Sequence, residues 1–259
     1  MKIAIVGYGV EGKSNYEYWD TPENSLTIVD ERAELDGVPE GAQVVLGQGA
    51  FGKLADLDLV VRSAGVSPHK ITTNGNIWSA TNEFFAKCPV PIIGVTGTKG
   101  KGTTCSLITS ILRKAGKTVH LVGNIGAPAL DILSEIREDD IVVYELSSFQ
   151  LWDLEKSPHI AVVLMVEPDH LDVHESFEEY AQAKSNIAKF QTSDDVTIYH
   201  PTNKYSHQIA SSGSGKKKRY GVVDDGGVYV KDDKFFTCDH AISSVDTLRI
   251  VGEHNRENA

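Results

Sequence analysis

A glycine-rich segment with one well-placed lysine lies between a short apolar run and a helical segment. The apolar run is Ile92–Val95, residues 94–104 have the sequence GVTGTKGKGTT, and residues 105–112 have helical character. Glycines let backbone amides curl around phosphate oxygens, the following helix adds its positive dipole end, and Lys101 can neutralise terminal phosphates. The segment predicts a strand–loop–helix unit of an α/β fold that binds a nucleoside triphosphate.

The loop differs from the common phosphate loop at one position. In the common form Ser or Thr follows the lysine and binds Mg²⁺, whereas here Gly102 intervenes and Thr103 must take that place. The alternative interpretation is a glycine-rich turn with a surface lysine. If the segment binds ATP, the contacting residues are Gly97, Thr98, Lys99, Gly100, Lys101, Gly102, Thr103 and Thr104.

Short β-branched runs alternate with longer helical segments over the first 190 residues. Continuous apolar runs such as Ile3–Val6 and Ile141–Tyr144 are typical of parallel strands buried on both faces. Pro89 and Pro91 interrupt the alternation, because proline lacks the N–H that a sheet or helix requires. The pattern predicts an α/β fold with a Rossmann-like domain over 1–90 and a P-loop ATPase-like domain over 91–259.

Composition limits the class of partner. The formal net charge of −11 argues against nucleic acid or an acidic membrane surface, because such partners need clustered Lys and Arg. The basic run Lys216–Arg219 is interpreted as a solvated loop, with a small nucleic-acid patch as the alternative. Three dispersed cysteines and the lack of an apolar run of ~18 residues predict a cytoplasmic protein without disulfides, zinc or a membrane span.

Two strand ends carry acids and imidazoles that could bind a metal. Glu145 ends one apolar run and opens the sequence ELSSFQL, and residues 167–174, with the sequence EPDHLDVH, follow the next run. Open α/β sheets place ligands at the carboxyl ends of their strands, where carboxylates can complete a Mg²⁺ shell. Each segment taken separately is equally compatible with an ordinary polar strand end.

Lys184 lies in the middle of an apolar helix stripe. The helix is predicted to begin at the capping box SFEE, residues 176–179, and its apolar face includes Tyr180 and Ile187. A lysine in this position commonly extends its ammonium group to water. Alternatively, burial lowers the pKa of the amine and makes it reactive.

A second glycine pattern, GYGVEG at residues 7–12, follows the first apolar run. It precedes a plausible helix, and Asp30 ends the next strand about 20 residues on, as in dinucleotide-binding domains. This pattern is weak evidence when it stands alone. If the chain were a dehydrogenase, the triphosphate-type loop at residues 94–104 would have no function.

Taken together, these segments resemble the Mur ligase family. The similarity lies in the ATP loop, in ELSSFQL, in DHLDVH, in GNIGAP at residues 123–128, and in GEHNREN at residues 252–258, in the family's order. Within the family the chain looks most like the member that adds D-glutamate to UDP-N-acetylmuramoyl-L-alanine. The GKGT variant of the loop also looks like the folylpolyglutamate synthases.

The resemblance implies ATP and two Mg²⁺ ions. Thr103 and Glu145 would serve one Mg²⁺, and His170 with Lys184, carbamylated by CO₂, would serve the other. Asn255 and Asn258 would contact the adenosine. The catalytic residues implied are Lys101, Glu145, His170 and Lys184.

The resemblance also assigns the muramoyl substrate. Asn124 and His170 would hold its muramoyl-peptide end, and its uridine diphosphate would lie against Gly9, Val10, Glu11, Asp30, Arg32 and Ser63. Two positions depart from the family, because Ala64 replaces a usual proline and Glu11 places an acid where a small or hydroxyl residue is common. Both departures affect the expected nucleotide contacts.

The implied reaction activates the substrate carboxylate as an acyl phosphate with release of ADP, and the amine of D-glutamate then displaces phosphate. Family members carry a third, amino-acid-binding domain after the segment at 252–258, which we expect to be absent here. The chain is therefore expected to be a monomer with little activity of its own. A folylpolyglutamate-type ligase and a non-catalytic nucleotide-sugar-binding protein are the alternatives.

Overall fold

In a computed structural model, the protein is described over residues 1–221, 227–238, 240–249, 255–256 and 259. The chain forms two compact units, of which the first comprises Met1–Cys88 with Ala127–Glu135 and the second Pro89–Gly126 with Ile136–Ala259. Both have the α/β architecture that the sequence predicts. The ligand-binding roles given to 1–90 and 91–259 stay predictions, and the segment Ala127–Glu135 joins the first unit although it lies beyond residue 90.

The first unit contains a parallel sheet, with described strands in the order β3-β2-β1-β4-β5. Their bounds are β1 Lys2–Val6, β2 Ser25–Asp30, β3 Gln43–Leu46, β4 Leu59–Arg62 and β5 Asn76–Ser79, and the helices are α1 Val10–Trp19 and α2 Ala80–Lys87, with 3₁₀ turns at Ala50–Gly52, Pro68–Lys70 and Leu130–Glu135. Side chains of a strand alternate between the faces of a sheet. Ile3 and Ile5 pack in one apolar cluster and Ala4 and Val6 in another, so β1 is buried on both faces.

The described part of the second unit contains a parallel sheet in the order β11-β10-β9-β6-β8-β7 and an antiparallel sheet in the order β12-β13-β14. The parallel strands are β6 Ile92–Thr96, β7 Val119–Gly123, β8 Ile141–Glu145, β9 Ile160–Val163, β10 Val196–Tyr199 and β11 Lys216–Arg219. The antiparallel strands are β12 Val228–Lys231, β13 Lys234–Thr237 and β14 His240–Ser244, followed by a 3₁₀ turn at Val245–Thr247. Asp232 and Asp233 turn the hairpin between β12 and β13 with positive φ angles of 48° and 53°.

Helices in the second unit are α3 Lys101–Lys114, α4 Ser148–Leu151, α5 Phe177–Lys189 and α6 Lys204–Ala210. The Ser176 side chain accepts a hydrogen bond from the Glu179 amide, as the predicted cap requires. Ser147 and Gln150 form a full capping box that starts α4 directly after β8. Both caps fix helices beside strand ends that carry the candidate site.

The interpretation of Lys216–Arg219 as a loop is wrong. These residues form the edge strand β11, which pairs in parallel with β10, and all four side chains are exposed. A basic edge strand resists pairing with a further chain, because the like charges repel and stay in water. Across the described residues there is no helix with the length and apolar character needed to cross a bilayer.

Candidate functional site

The glycine-rich loop joins β6 to α3 in the second unit. Gly97 has a φ of 150° and Gly100 a φ of 85°, conformations that side chains of other residues disfavour. A Cβ atom at Gly97 would also lie 2.6 Å from Leu164 Cβ. Gly100 precedes α3, and no side chain among the described residues caps it, so the first-turn amides of α3 can bind an anion.

Lys101 begins α3 and folds its ammonium group back over the loop. Its Nζ donates to the carbonyl oxygens of Gly97 at 3.2 Å and Thr98 at 3.0 Å. Burial lowers the pKa of Lys101, while the Glu145 and Asp169 carboxylates oppose that shift. The ammonium group is therefore held at the loop itself, where a phosphate would compete with the two carbonyl oxygens.

Glu145, at the end of β8, is a buried carboxylate beside the start of α3. It is 3% exposed, and a Cβ atom on Gly102 would lie 3.3 Å from its Oε2. The Oε1 atom accepts from Asn124 Nδ2 at 3.4 Å, whereas Oε2 has no hydrogen-bond partner among the described residues. Burying an unpaired carboxylate oxygen costs free energy, so this position fits a bound cation such as Mg²⁺.

Asn124 is fixed against the same carboxylate. Its backbone amide donates to Glu145 O at 3.2 Å, which adds to the side-chain contact with Oε1. Gly123, directly before it, has a φ of 107°, and a Cβ there would lie 2.3 Å from Glu145 O. Only glycine permits this close approach of β7 to the end of β8.

Lys184 does not extend to water. It is 1% exposed, its Nζ donates to Gly97 O at 3.0 Å and Thr96 Oγ1 at 3.3 Å, and it lies 4.6 Å from the centre of the Tyr180 ring. Burial, and after it the positive charge of Lys101, holds the pKa of Lys184 well below its usual range. A deprotonated amine is nucleophilic, and this geometry agrees with the reactive alternative rather than the solvated one.

His170 occupies a strained backbone position in the loop after β9. Its φ is 53°, its side chain is about half exposed, and its Nε2 lies 3.6 Å from Asp169 Oδ2. The imidazole ring lies 5.0 Å from the Phe149 ring and 6.3 Å from the Tyr180 ring. Because Tyr180 also contacts Lys184, one aromatic side chain touches both predicted ligands of the second metal ion.

The first unit carries the other glycine loop, between β1 and α1. Gly7 has a φ of 84°, and a Cβ atom on Gly12 would lie 2.0 Å from Gly7 O. Ser63 Oγ, after β4, donates to the same Gly7 oxygen at 2.7 Å. Strand order reverses at β1, which neighbours both β2 and β4, and such switch points are where open α/β sheets bind ligands.

Asp30, at the end of β2, is fully occupied by protein donors. It accepts from Tyr8 N at 2.8 Å and from Arg32 through the backbone N at 3.0 Å, Nε at 2.9 Å and Nη2 at 2.8 Å. The side-chain bond from Arg32 lowers the pKa of Asp30 to about 2. Since these bonds engage both carboxylate oxygens, the geometry disfavours the ribose-binding role that a dinucleotide fold requires.

Comparison with known proteins shows the family. A family profile described as the Mur ligase middle domain matches residues 95–259. The chain belongs to the Mur ligase family. The folylpolyglutamate-like loop variant at Gly102 is therefore a departure within this family.

Curated relatives of this Mur ligase include UDP-N-acetylmuramoylalanine–D-glutamate ligases. The Clostridium kluyveri enzyme is 32% identical over 273 residues and the Acetivibrio thermocellus enzyme 34% identical over 276 residues. Each alignment covers 99% of this chain, which spans 59% of the length of each relative.

Solved Mur ligase structures share the fold. The UDP-N-acetylmuramate:L-alanyl-gamma-D-glutamyl-meso-diaminopimelate ligase of Neisseria meningitides has a TM-score of 0.62 at 16% identity, with 99% of this chain and 90% of that one covered. A murein peptide ligase of Psychrobacter arcticus has a TM-score of 0.55 at 16% identity, covering 100% and 63%. The predicted fold class is thereby confirmed.

The structure of this Mur ligase gathers several predicted site residues and separates others. Lys101, Lys184 and the Gly97 carbonyl meet at the loop, and Glu145 meets Asn124 beside Gly102. Thr104 instead lines an apolar cavity of about 440 Å³, together with Ile108, Val162, Leu164 and Tyr229 among others. Its buried Oγ1 has no hydrogen-bond partner among the described residues.

The predicted adenosine contacts are placed only in part. Asn255 is half-buried, whereas Asn258 lies outside the described residues, as do Gly252 and His254 of the same motif. Where the chain is described, no group of three or more His, Cys, Asp or Glu side chains is arranged to hold a metal. A metal bound at Glu145 would thus complete its shell largely with phosphate oxygens and water.

His174 belongs to the segment 167–174 that the sequence offers as a metal-binding strand end, but the sequence gives it no role of its own. It is 2% exposed, its ring stacks 4.1 Å from Trp152 and 5.4 Å from Phe149, and its Nε2 lies 3.0 Å from Ser148 Oγ. These contacts fix the segment that carries His170 against α4. The sequence signal for this contact is the second histidine of DHLDVH. The backbone amide of His174 donates to the His170 carbonyl oxygen, so the two histidines are one turn of chain apart.

Proposed function

We propose that this Mur ligase acts, as part of its whole protein, as an ATP-dependent amide ligase that joins D-glutamate to UDP-N-acetylmuramoyl-L-alanine. The observation that carries the proposal is the buried Glu145 carboxylate, whose Oε2 faces the start of α3 beside the phosphate loop and has no hydrogen-bond partner in the described part of the chain. The curated relatives bear the name of that activity, which supports the choice of substrates.

The phosphates of ATP would bind to the loop from Gly97 to Thr103 and to the free amides of the first turn of α3. Lys101 already lies at this loop, so it can exchange two carbonyl acceptors for phosphate oxygens without a long movement. A charged acceptor binds an ammonium group more strongly than a neutral carbonyl does. Nucleotide binding would thereby draw Lys101 away from Gly97.

Mg²⁺ would be held by Glu145 with Thr103, and a second ion by His170 with carbamylated Lys184. Bound Mg²⁺ would supply charge neutralisation on the transferring phosphoryl group. The carbamate would form when the Lys184 amine attacks CO₂, with a new N–C bond and loss of one proton. Its burial beneath Gly97, in a site that lowers the pKa of the amine, supports that modification.

The uridine diphosphate would bind in the first unit at the β1–α1 loop, against Gly9, Val10, Glu11 and Ser63, with Asp30 positioning Arg32. Asn124 and His170 would contact the muramoyl-peptide end. Two features support the uridine diphosphate site in the first unit. The strand order reverses at β1, and protein donors saturate Asp30, which disfavours a dinucleotide.

The chemistry proceeds by positioning rather than by a protein nucleophile. A carboxylate oxygen of the substrate attacks the γ-phosphorus, the bond to the β-phosphate oxygen breaks, and ADP leaves. The amine of D-glutamate then attacks the acyl carbon, loses a proton, and expels inorganic phosphate as the amide forms. Lys101 stabilises charge on the phosphoryl group, and the loop holds that group in position for the attack.

The proposal is tested by the Mg²⁺ dependence of ATP binding in wild type and Glu145→Gln. The variant keeps the shape of the side chain but removes its charge, so we expect ATP alone to bind similarly to both proteins. Mg²⁺ should tighten ATP binding to wild type and should tighten it at least tenfold less in the variant. If Mg²⁺ tightens ATP binding equally in the two proteins, the metal-binding role proposed for Glu145 is wrong.

A second candidate function follows from Gly102. The resulting GKGT sequence looks like the folylpolyglutamate synthases, whose substrates are pteroyl compounds. A protein of that kind would bind dihydropteroate in preference to a uridine nucleotide. Competition between UDP-N-acetylmuramoyl-L-alanine and dihydropteroate for binding to this chain separates the two candidates.

A further inference from the structure

A carboxylate of helix α1 accepts a hydrogen bond from the loop that follows β4. Glu11 lies in the first turn of α1, and its Oε2 accepts a hydrogen bond from the Ala64 backbone amide at 2.7 Å. The neighbouring Ser63 hydroxyl donates to Gly7 O at 2.7 Å. The glycine loop, the helix start and the β4 loop therefore meet around the Glu11 carboxylate.

The start of α1 supplies further backbone donors. α1 begins after Gly9, which no side chain among the described residues caps, so the first-turn amides lack intrahelical acceptors. The Ala64 amide adds a donor from the facing loop. Backbone amides and a helix dipole of this kind bind phosphate oxygens, and they bind a carboxylate by the same interaction.

The nearby arginine is already engaged with another acid. Arg32 donates from Nε and Nη2 to Asp30 and also from Nη2 to Tyr8 O at 3.0 Å. Its charge is therefore shared with Asp30 before any ligand arrives. A diphosphate in this site would need the Ala64 amide, which the negatively charged Glu11 carboxylate already occupies.

We propose that Glu11 is a specificity-determining residue that competes, as a tethered anion, with the diphosphate of the uridine nucleotide. The inference rests on the proposed function of the first unit. Because the carboxylate is attached to the helix, its local concentration at the Ala64 amide is high. A diphosphate binds after Glu11 has left that amide, and the like charges then repel at short distance.

The competition predicts that Glu11 variants bind UDP more tightly than wild type does, and that the gain depends on the phosphate groups of the ligand. Glu11→Gln removes the charge and keeps the length, and Glu11→Thr removes the charge and also clears the Ala64 amide. UDP should bind about tenfold more tightly to Glu11→Gln than to wild type, and more tightly still to Glu11→Thr. Uridine lacks phosphate, so its affinity should be the same in all three proteins.

Calorimetric titration of the whole chain with UDP and with uridine tests the proposal. Glu17→Gln is the matched control, because Glu17 is an exposed acid on the same helix and its loss changes the net charge equally. Thermal unfolding of each variant establishes that α1 remains folded. The control should bind UDP as wild type does.

Each outcome is decisive. Unchanged or weaker UDP binding by both Glu11 variants, while wild type binds UDP, overturns the competition and leaves the proposed nucleotide site intact. A gain of equal size for uridine shows that Glu11 does not act on phosphate and also overturns it. If all four proteins fail to bind UDP, the proposed site in the first unit fails, and the competition fails with it.

Discussion

Lys101 and Lys184 donate to the same acceptor, the carbonyl oxygen of Gly97, at 3.2 Å and 3.0 Å. Two amines around one oxygen cannot both carry a charge without repulsion. Lys184 is the more buried, and its pKa is held well below the usual range by burial first and by Lys101 second. The loop thus favours charge on Lys101 over charge on Lys184.

Replacing Lys184 with Met should change how stability depends on pH. At a pH between the lowered pKa of folded Lys184 and its unfolded value of about 10.4, only the unfolded protein carries the proton. Unfolding therefore takes up a proton in this range, and the free energy of unfolding of the wild type rises with pH and falls as pH falls. Lys184→Met should lack this rise, which approaches about 1.4 kcal/mol per pH unit. Urea unfolding in CO₂-free buffer measures the difference.

Lys189→Met is the control for that series, because Lys189 is an exposed lysine at the end of the same helix. Its pH profile should run parallel to the wild-type profile. A Lys184→Met profile that is also parallel would show that Lys184 titrates normally in the folded protein.

Lys101→Met should weaken ATP binding by at least tenfold. The ammonium group of Lys101 lies at the phosphate loop, whereas Lys99 in the same loop has an exposed side chain, so Lys99→Met should cost much less. Fluorescence titration with a labelled ATP analogue measures both constants. Equal losses in the two variants would mean that general loop charge, and not the position of Lys101, attracts the nucleotide.

Gly102→Ser should strengthen the contribution of Mg²⁺ to ATP binding severalfold. The new Cβ would lie 3.3 Å from Glu145 Oε2, which would place a hydroxyl oxygen next to the proposed metal ligand. Gly102→Ala is the matched control, because it adds the same Cβ without the oxygen. If Ala gives the same gain as Ser, the effect comes from helix propensity and not from metal ligation.

Asp30→Asn should lower stability at neutral pH by about 1 kcal/mol, after allowance for the solvent exposure of Arg32. The pKa of Asp30 is lowered to about 2, so its stabilising contribution is present above the unfolded value of about 3.9 and is lost as pH falls through 2. Acid unfolding followed by circular dichroism should converge for the two proteins near pH 2. A constant difference down to pH 2 would contradict the ion-pair origin.

Local signals made much of the fold and the phosphate loop predictable. The glycines at 97 and 100 and the apolar strands depend on neighbours in sequence, and the structure shows the loop where the pattern placed it. Strand β5 could not be predicted, because its sequence Asn76–Ser79 lacks a β-branched run and it forms through pairing with β4. The edge strand β11 was missed because its four basic residues resemble a loop.

Site contacts that span long stretches of chain could not be predicted from the sequence. The Glu11 carboxylate meets an amide 53 residues away, and Lys184 meets Gly97 across 87 residues. Periodicity placed Lys184 in an apolar stripe but left both the solvated and the buried alternatives open. Only the packing of α5 against the phosphate loop decides that its amine is buried.

The most direct test of the proposed function is calorimetric binding of UDP-N-acetylmuramoyl-L-alanine to this chain, with dihydropteroate and NAD⁺ as competitors. We expect the muramoyl nucleotide to bind and neither competitor to displace it, because we place the diphosphate site in the first unit and because Asp30 is saturated by protein donors. Displacement by dihydropteroate or NAD⁺, or no binding of the muramoyl nucleotide, would contradict the assignment.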